Sequence, residues 1–489
     1  MSGRLIVVSN RVAVPGRLRA PSAGGMAVAV KAALKNRSAV WFGWSGEVAA
    51  AARAETRTVR VNKVDYVFFD LTSVDIREYY SGFAKSVLWP VLHYRVDLQQ
   101  YSRLDASGYL RVNRLFADRL SPLLEDDDVV WVHDYHLMPL ARELRSRGCR
   151  NAIGFFLHAP CAPQDVLQAM PSHDVILGAL AHYDLVGFQT ENDRDNFEQY
   201  MVARGAEPMR DGAIETGGRR VRLGVFPVGI ETLAFHRLAR FGARSTLVRR
   251  VRESLGESRL IISVDRLDCS KGILNRMKAF ERFLEIDPAW RSKATLLQVT
   301  PARAEDDQRL RGMAAELAGL IGRINGRFGD AAWTPIRYVN RSYSRGALAG
   351  LCRLADVALV TPLRDGMNLV AKEFVAAQDR EDPGTLVLSQ FAGAANELDR
   401  ALIVNPHETD AVAVALKRAL EMPLPERRER HAAMLDRLMT SDIETWAESY
   451  VSALVESHPA RGIFDGIRSL VGMLGEQRAF ATQGSLASR

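Results

Sequence analysis

Short runs of apolar residues recur through the first half of the chain, and each is followed by a polar turn and a stretch of helical periodicity. Apolar runs of roughly four to eight residues between such turns are typical of strands buried on both faces of a parallel sheet. The runs of this half are residues 4–9 (RLIVVS), 40–44, 64–71, 128–134, 152–158, 184–189 and 221–230. Their alternation with helical stretches predicts an α/β domain.

A helical stretch, residues 75–93 (DIREYYSGFAKSVLWPVLH), interrupts this rhythm. Because proline lacks a backbone N–H and clashes with the preceding turn, we expect the helix to break at Pro90. Tyr79 has the helical spacing of a core aromatic residue and is assigned to packing.

The alternation restarts in the second half of the chain. Residues 231–252, between the halves, are rich in arginine and lack strand signal, which indicates a domain boundary. The later apolar runs are residues 260–264, 295–299, 336–338, 355–360 and 386–388. Residues 410–456 predict helices, with Trp446 and Tyr450 on one apolar face.

Composition restricts the class of protein. A chain of 489 residues is too long for one hydrophobic core, and 47% hydrophobic with 25% charged residues is typical of a globular protein. No apolar run approaches the roughly 18 residues of a membrane span, and the N-terminal run is too short for a signal peptide. The net charge of +7 comes without a basic helix or basic–aromatic stripe. We predict neither a membrane nor a nucleic-acid partner; sugar-phosphate or nucleotide substrates fit this charge.

The cysteines do not form a recognisable site. They stand at positions 149, 161, 269 and 352, without a CxxC spacing. This scatter argues against a disulfide scaffold and against zinc, and it fits a reducing, cytoplasmic environment. His133 and His136 lie outside any HExxH pattern, so no metal is predicted there.

The turn at residues 361–373 (TPLRDGMNLVAKE) follows the run 355–360 and opens a helix at residues 368–378. In α/β proteins, such a turn at the carboxyl end of a parallel strand is where anionic ligands bind. We expect the N–H groups of Met367, Asn368 and Leu369 to be free and to face outward, between Asp365 and Glu373. The alternative is an ordinary strand–helix loop with solvated acidic caps.

Two other turns have features of a phosphate site. Arg266 and Lys271 flank a turn that opens a helix, which suits a pyrophosphate; a pair of surface salt bridges is the alternative. Gly24 and Gly25 precede a helix and can offer backbone N–H groups, but they lack the GxGxxG spacing, and a simple helix entry is the alternative.

Polar side chains also follow two runs of the first half. Asp134 and His158 each stand at the carboxyl end of an apolar run, where open α/β sheets bind ligands. Together with the turns of both halves, they predict a cleft between two α/β domains that takes a phosphorylated or nucleotide ligand. These patterns do not identify the reaction.

Several segments resemble one enzyme family. They are VSNR, SAGG, WFGWSGE, EYYSGFAKSVLWP, HDYHL, GFQTENDR, RLDCSKG, PLRDGMNLVAKEF and LSQFAGAANEL. The likeness runs over about residues 4–450 and is to trehalose-6-phosphate synthases, retaining glycosyltransferases of the GT-B fold. It implies two Rossmann-like, doubly wound domains facing a cleft: an acceptor domain at residues 1–233 and a donor domain at 234–450. Residues 451–489 would form a helix that packs back on the first domain and a frayed tail.

The resemblance implies transfer of glucose from a nucleotide sugar, usually UDP-glucose, to glucose 6-phosphate. Because Arg266 and Lys271 can substitute for a divalent metal, and no carboxylate pair of the D-x-D kind is dedicated to one, we expect no metal or other cofactor. Arg266 and Lys271 would hold the donor pyrophosphate, aided by the backbone of Gly24 and Gly25. The other implied donor-binding residues are Asp365 at the sugar hydroxyls, Glu373 at the ribose, Tyr343 beside the base, and Leu369, Val370, Ala371 and Lys372 along the nucleoside.

On the acceptor side, the resemblance implies that Arg11 and Tyr80 bind glucose 6-phosphate and that Trp89 shapes the pocket selecting its anomer. Asp134 would bind the acceptor hydroxyls, and His158 would lie near the reacting centre. The implied catalytic residues are Asp134, His158, Arg266, Lys271 and Asp365. Retention without a carboxylate nucleophile fits a front-face mechanism, in which the enzyme positions the substrates and neutralises leaving-group charge. A homo-oligomer is expected for an enzyme of this size.

The chain departs from the family pattern at three places. After His158 the family has an aromatic residue between prolines, whereas residues 159–163 read APCAP. Cys269 stands where the family has tyrosine. The phosphate-binding arginine of the family aligns with Ala304, and we expect the preceding Arg303 to reach the phosphate instead.

Three alternative functions compete with this one. The nearest is a sister enzyme with a changed acceptor, such as glucosylglycerol-phosphate synthase or a pseudo-glycosyltransferase, which the altered loop at residues 159–164 and the displaced arginine favour. A sensor without activity would be expected to lack Arg266, Lys271 or Glu373, and all three are present. A dehydrogenase lacks support because no GxGxxG follows a predicted strand. The donor base, uracil, guanine or adenine, is left open.

Overall fold

The computed structural model describes residues 3–14, 25–34, 38–49, 55–301 and 308–458. The chain divides into two compact units, one formed by Met1–Phe226 with Glu444–Arg489 and the other by Pro227–Ile443. Both breaks lie seven residues before the boundaries expected at 233/234 and 450/451. The first break falls earlier because the last strand of the first unit ends at Val225.

The first unit is built on a ten-stranded sheet with the order β3-β4-β2-β1-β5-β6-β7-β10-β9-β8. Its strands are β1 Leu5–Arg11, β2 Ala39–Val48, β3 Arg57–Val61, β4 Val64–Leu71, β5 Val129–His133, β6 Ala152–Phe156, β7 Leu185–Phe188, β8 Glu207–Pro208, β9 Ala213–Thr216 and β10 Arg219–Val225. The central strands are parallel, and antiparallel pairs close both edges. Ser9 pairs with His133 and His133 with Phe156, so the carboxyl ends of β1, β5 and β6 are adjacent.

Helices connect these strands. They are α1 Gly25–Ala33, α2 Ser73–Asp75, α3 Trp89–Leu92, α4 Arg103–Leu120, α5 Leu140–Ser146, α6 Gln164–Gln168, α7 His173–Leu177 and α8 Glu191–Val202, with a π-helix at Ile76–Leu88 and 3-10 turns at Val96–Leu98, Ser121–Leu123, Tyr135–Leu137 and Gly178–His182. The helices and the sheet enclose one aromatic-rich core that includes Phe42, Tyr79 and Phe116. The assignment of Tyr79 to packing fits its complete burial.

The predicted helix break at Pro90 is wrong. The π-helix passes directly into α3, and Pro90 lies in the first turn of α3. An α-helical N–H at position 90 would have bonded to the carbonyl of Ser86, and proline has none. The N–H of Gln100 replaces it, at 2.8 Å from the Ser86 oxygen.

The second unit is built on a six-stranded, all-parallel sheet with the order β13-β12-β11-β14-β15-β16. Its strands are β11 Arg259–Val264, β12 Ala294–Val299, β13 Ile336–Val339, β14 Val357–Val360, β15 Thr385–Ser389 and β16 Leu402–Val404. The short strand β16 was not among the predicted runs. Such a sheet is covered by helices on both faces, and the apolar side chains of its strands pack against those helices in one core.

The helices of the second unit include the arginine-rich stretch that predicted a boundary, which forms α9 and α10. The helices are α9 Thr232–Gly242, α10 Thr246–Leu255, α11 Ile273–Ile286, α12 Gln308–Phe328, α13 Arg345–Leu354, α14 Leu369–Ala377, α15 Thr409–Glu421 and α16 Leu424–Thr440, with 3-10 turns at Cys269–Lys271, Pro288–Trp290 and Gly393–Asn396. Within the described residues, no helix is both long and apolar enough to span a bilayer.

The last described helix, α17 (Ile443–Ser457), packs on the sheet of the first unit. Tyr450 donates its hydroxyl to the carbonyl of Phe155 at 2.9 Å and stacks on Trp131. Trp446 lies beside the same strand ends, with its ring 5.2 Å from that of Phe156. The predicted apolar face of Trp446 and Tyr450 therefore covers β5 and β6.

Candidate active site

The carboxyl ends of β5 and β6 carry Asp134 and His158 on adjacent strands, as their positions predicted. The backbone of Asp134 has φ 72° and ψ 163°, a conformation that residues other than glycine rarely adopt. Its N–H donates to the Phe156 carbonyl at 2.8 Å, and its own carbonyl accepts from Leu137 at 3.1 Å. These bonds hold the strained residue at the strand end, which is a common feature of functional sites.

His158 contacts a second histidine. Its Nε2 lies 3.0 Å from Nδ1 of His133, which is completely buried at the end of β5. Burial lowers the pKa of His158 to about 3 and holds the pKa of His133 well below its ordinary value. Both imidazoles are therefore neutral in the ordinary working range of pH.

The predicted acceptor residues Arg11 and Tyr80 belong to one chain of ring contacts. The guanidinium carbon of Arg11 lies 5.6 Å from the ring centroid of Trp44, and Trp44 meets Tyr80 edge-on at 6.0 Å. Tyr80 stacks on His136 at 5.8 Å. Gly46 has φ +90°, and a Cβ there would lie 2.1 Å from the Arg11 guanidinium, so glycine leaves room for this side chain.

Trp89 is also on this helical segment and stacks on His93 with a centroid distance of 4.3 Å. Tyr80 and Trp89 are nine residues apart, a spacing that puts side chains on opposite faces of an α-helix. In the π-helix Ile76–Leu88 the backbone N–H of residue i+5 donates to the carbonyl of residue i, and this pattern extends to the N–H of Trp89. Each turn is therefore wider than in an α-helix, and Tyr80, Lys85 and Trp89 lie on successive turns. The π-helix thus brings both predicted acceptor residues to one face.

In the second unit, the predicted phosphate turn is connected to the turn at residues 361–373. Lys271 Nζ forms a close ion pair with Asp365, and both side chains are largely buried. The Ser270 carbonyl accepts the N–H of Leu363 at 2.7 Å. Gly272 has φ +62°, and a Cβ there would lie 2.5 Å from the Thr361 carbonyl, so the two turns approach closely only because of this glycine.

Arg266 lies on the exposed side of the same turn. Its Nε is 3.1 Å from Asp268, and 43% of its side chain is exposed. Asp268 in turn accepts from the N–H and hydroxyl of Ser270. The two cations predicted for a pyrophosphate therefore stand on one turn, with Arg266 the more accessible and Lys271 fixed by Asp365.

Asp365 is held from several directions. Its N–H donates to the Phe391 carbonyl at 3.1 Å, and its carbonyl accepts from Gly393 at 3.1 Å. Asn368, at φ 74°, donates its side-chain amide to Asp365 Oδ2 at 3.0 Å and accepts the N–H of Ala371 at 3.1 Å. Asn368 thus caps α14 by accepting the N–H of Ala371. The N–H groups of Met367, Asn368 and Leu369, which were expected to be free, are not the ones that this cap engages.

Helix α14 separates the predicted nucleoside-lining residues into buried and accessible positions. The Lys372 side chain is completely buried in an ion pair with Glu397 and donates to the Val228 carbonyl at 2.8 Å. Ala371 is also completely buried, whereas Leu369 and Val370 are partly exposed. Of Lys372, only the backbone is left for the implied role at a nucleoside.

Glu373 is a carboxylate in an unusual environment. Its Oε1 lies 3.6 Å from Arg345, which also lies 3.8 Å from Glu231. Burial raises the pKa of Glu373 to about 7, against the opposing charge of Arg345. Tyr343, two residues before Arg345, contacts the guanidinium of Arg341 at 4.9 Å.

Comparison of the chain with known proteins identifies its family. A sequence model described as glycosyltransferase family 20 matches residues 4–456. The chain belongs to glycosyltransferase family 20. A trehalose-6-phosphate synthase of Sinorhizobium fredii is 49% identical over 93% of this chain and 98% of its own length. The predicted family resemblance is confirmed.

Solved structures give the same result for the fold of this family member. An α,α-trehalose-phosphate synthase (UDP-forming) from Burkholderia xenovorans, in complex with glucose-6-phosphate, is 47% identical, with a TM-score of 0.89 over 92% of this chain and 100% of its own. An Escherichia coli structure bound with UDP-2-fluoro glucose is 46% identical, with a TM-score of 0.88 over 92% and 99%. The predicted GT-B class, with two α/β domains built on parallel sheets, is confirmed.

Some residues implied by the resemblance lie outside the described residues of this family-20 chain. They are Gly24 and Arg303, together with the aligned Ala304. Gly25 is described as the first residue of α1. The altered loop after His158 is packed: Cys161 is 2% exposed, its N–H donates to Asp193 at 2.7 Å, and its carbonyl accepts from Asn196 at 2.8 Å.

Two residues of the site were missed by sequence reasoning. Lys85 Nζ lies 4.4 Å from the ring centroid of Tyr80. Arg276 is buried beneath the phosphate turn, where it bonds Asp265 at 2.8 Å, the Lys271 carbonyl at 3.0 Å and Thr361 at 3.1 Å. A lysine five residues after a tyrosine gives no signal without the π-helix. Arg276, by contrast, is a charged position on the buried face of a predicted helix, which could have marked it.

Proposed function

We propose that this chain transfers glucose from UDP-glucose to glucose 6-phosphate, giving α,α-trehalose 6-phosphate and UDP. The observation that carries the proposal is the high identity, over nearly the whole chain, to a UDP-forming synthase in complex with glucose-6-phosphate. The related Escherichia coli structure bound with UDP-2-fluoro glucose favours uracil as the donor base. The proposed chemistry needs cations for the donor and a separate site for the acceptor phosphate.

On the donor side, Arg266 and Lys271 hold the pyrophosphate. What supports this role is their place on one turn beside a helix N-terminus, where two charges and free N–H groups attract an anion. Asp365 orients Lys271 through their ion pair. We assign Asp365 to the sugar hydroxyls of the donor.

Further along the donor, α14 receives the nucleoside. Leu369, Val370 and the backbone through Lys372 line it, Glu373 accepts hydrogen bonds from the ribose hydroxyls, and Tyr343 lies beside the base. The partial exposure of Glu373 and Tyr343 supports these roles.

On the acceptor side, Arg11 and Tyr80 bind the phosphate of glucose 6-phosphate, Trp89 limits the pocket, and Asp134 binds the sugar hydroxyls. Lys85 adds a second cation beside Tyr80. Lys85 gives the phosphate a charged partner whether or not Arg303 replaces the family arginine at position 304. Arginine and lysine both suit a phosphate, the former bidentately and the latter as a point charge.

The transfer proceeds at the front face of the donor sugar. No enzyme carboxylate attacks the anomeric carbon; the departing phosphate takes the proton of the incoming hydroxyl, and the enzyme positions both substrates. Lys271 and Arg266 neutralise the charge that develops on the leaving diphosphate, a task that a divalent ion performs in other enzymes. Turnover should therefore change less than about twofold after thorough chelation. Loss of turnover that added magnesium restores would contradict this.

One experiment tests the reaction. UDP release from UDP-glucose is measured with glucose 6-phosphate, with glycerol 3-phosphate and without acceptor, and the product is identified by mass and anomeric configuration. Release that requires glucose 6-phosphate and yields the α,α-linked disaccharide phosphate supports the proposal. Release that requires glycerol 3-phosphate would favour the sister enzyme, for which the APCAP loop is the supporting feature.

A further inference from the structure

The contact between His133 and His158 also determines where the protons of the two rings lie. Nδ1 of His133 and Nε2 of His158 lie 3.0 Å apart, which is hydrogen-bonding distance. A neutral imidazole has one N–H and one lone pair, so in this contact one ring donates and the other accepts. Which ring donates decides what the second nitrogen of His158 can offer to a ligand.

The surroundings of His133 decide this question. Its Nε2 is buried and has no hydrogen-bond partner among the residues that the structure describes. The rings in contact with it, besides His158, are Trp131, Phe156 and Trp446. The polar atoms of the two tryptophans are N–H donors, which cannot accept a hydrogen bond.

A proton on His133 Nε2 would therefore be a buried donor without an acceptor. Such orphaned N–H groups are rare and costly, whereas a lone pair among aromatic rings is tolerated better. The favoured His133 tautomer carries its proton on Nδ1. That proton points at His158.

We propose that His133 is a positioning residue that donates its Nδ1–H to Nε2 of His158 and so fixes His158 with its own proton on Nδ1. His158 then offers a hydrogen-bond donor to an oxygen acceptor, either a sugar hydroxyl or a phosphate oxygen. It offers no lone pair to take up a proton. The relevance to transfer rests on the proposed function, whereas the tautomer itself does not.

This assignment gives His158 a definite task in the front-face reaction. The acceptor hydroxyl loses its proton to the departing phosphate, so no base is needed at His158. A fixed N–H donor instead holds a substrate oxygen or stabilises charge developing on it. The low pKa of His158, near 3, keeps this donor neutral, so it contributes no positive charge of its own.

The direct test is nuclear magnetic resonance of the wild-type protein labelled with ¹⁵N-histidine, without substrates. The His158 signals are assigned by their disappearance in His158→Gln. We expect Nδ1 of His158 and Nδ1 of His133 to be protonated and Nε2 of His158 to have the shift of a hydrogen-bonded acceptor. A proton on Nε2 of His158 would overturn the proposal.

Two substitutions of His133 separate positioning from packing. His133→Phe keeps a ring but removes the donor, and we expect kcat to fall about tenfold, the effect of one lost hydrogen bond. His133→Asn places an amide N–H at the position of Nδ1, so kcat should recover most of that loss. Trp446→Phe, which also contacts both histidines, is the packing control and should leave kcat within about twofold of the wild type.

The outcomes distinguish the two proposals. Equal kcat values for His133→Phe and His133→Asn would contradict positioning by a donor. If His133→Phe does not fold, the wild-type spectrum and His133→Asn still decide. A wild type that shows the expected tautomer but releases no UDP with glucose 6-phosphate would overturn the proposed function and leave the tautomer in place.

Discussion

Tyr80 and Lys85 are one turn apart on the π-helix Ile76–Leu88, with the lysine Nζ 4.4 Å from the centroid of the tyrosine ring. The cation lies over the ring face, where the aromatic quadrupole attracts it. Tyr80 also stacks on His136, whose pKa is lowered to about 3 by burial and, secondarily, by the Lys85 charge. Tyr80 therefore contacts the neutral imidazole of His136 and the ammonium group of Lys85.

Lys85→Gln should raise the KM for glucose 6-phosphate about tenfold, because one charge-assisted contact to the phosphate is lost. The KM for UDP-glucose and kcat should change less than about twofold, because the donor site is on the other unit. Lys85→Arg should keep most of the affinity. Initial-rate kinetics would measure these values, with the exposed Lys63→Gln as the matched control. An unchanged KM for glucose 6-phosphate would exclude Lys85 from the acceptor site.

Lys271→Ala should lower turnover about 100-fold or more, since a preorganised charge on the leaving group is lost. Lys278→Ala is the matched control: Lys278 is exposed on the following helix, α11, and its loss should have no comparable effect. Turnover would be followed by UDP release at saturating substrates. Equal rates for the two variants would show that the pyrophosphate binds elsewhere.

Glu373→Gln should alter how stability depends on pH. In the folded protein the pKa of Glu373 is raised to about 7, so the folded state favours its neutral form. The associated stability is present below the unfolded pKa, near 4.5, and is lost as the pH rises towards 7. The free energy of unfolding of Glu373→Gln, relative to the wild type, should therefore be about 2 kcal/mol higher at pH 8 than at pH 5.

Urea titrations at the two pH values would measure this difference. The exposed Glu215→Gln serves as the control and should show no such change with pH. A Glu373→Gln profile parallel to that of the wild type would mean that Glu373 ionises as an ordinary surface carboxylate.

Arg276→Met should destabilise the second unit by about 3–5 kcal/mol, because it leaves the buried Asp265 without its cation. Removing the second charge as well, in Arg276→Met with Asp265→Asn, should restore part of the loss. Denaturant unfolding would give both values. A loss below about 1 kcal/mol would show that Asp265 is protonated or solvated, since burial already raises its pKa.

The pattern of apolar and polar residues predicted the strands and helices that depend on short-range sequence. Each central strand of the two sheets falls on an apolar run, and Asp134 and His158 lie at adjacent strand ends because parallel strands end at one edge. The three-residue strand β16, Leu402–Val404, gave too short a signal. The break at Pro90 was expected from the missing N–H and from the clash with the preceding turn. It did not occur: the helix continues through Pro90, and the Ser86 carbonyl accepts from Gln100, a later residue.

By itself, the sequence determined the α/β class, the two-unit organisation, the family and the types of residue that can bind a sugar phosphate and a diphosphate. These follow from short-range periodicity and from motifs whose residues are neighbours in the chain. Tertiary structure decided which charges are available. It buried Lys372 against Glu397, paired Lys271 with Asp365 and set Arg276 beneath their turn. Burial and ion pairing depend on contacts between residues far apart in the chain, and only the packed molecule contains them.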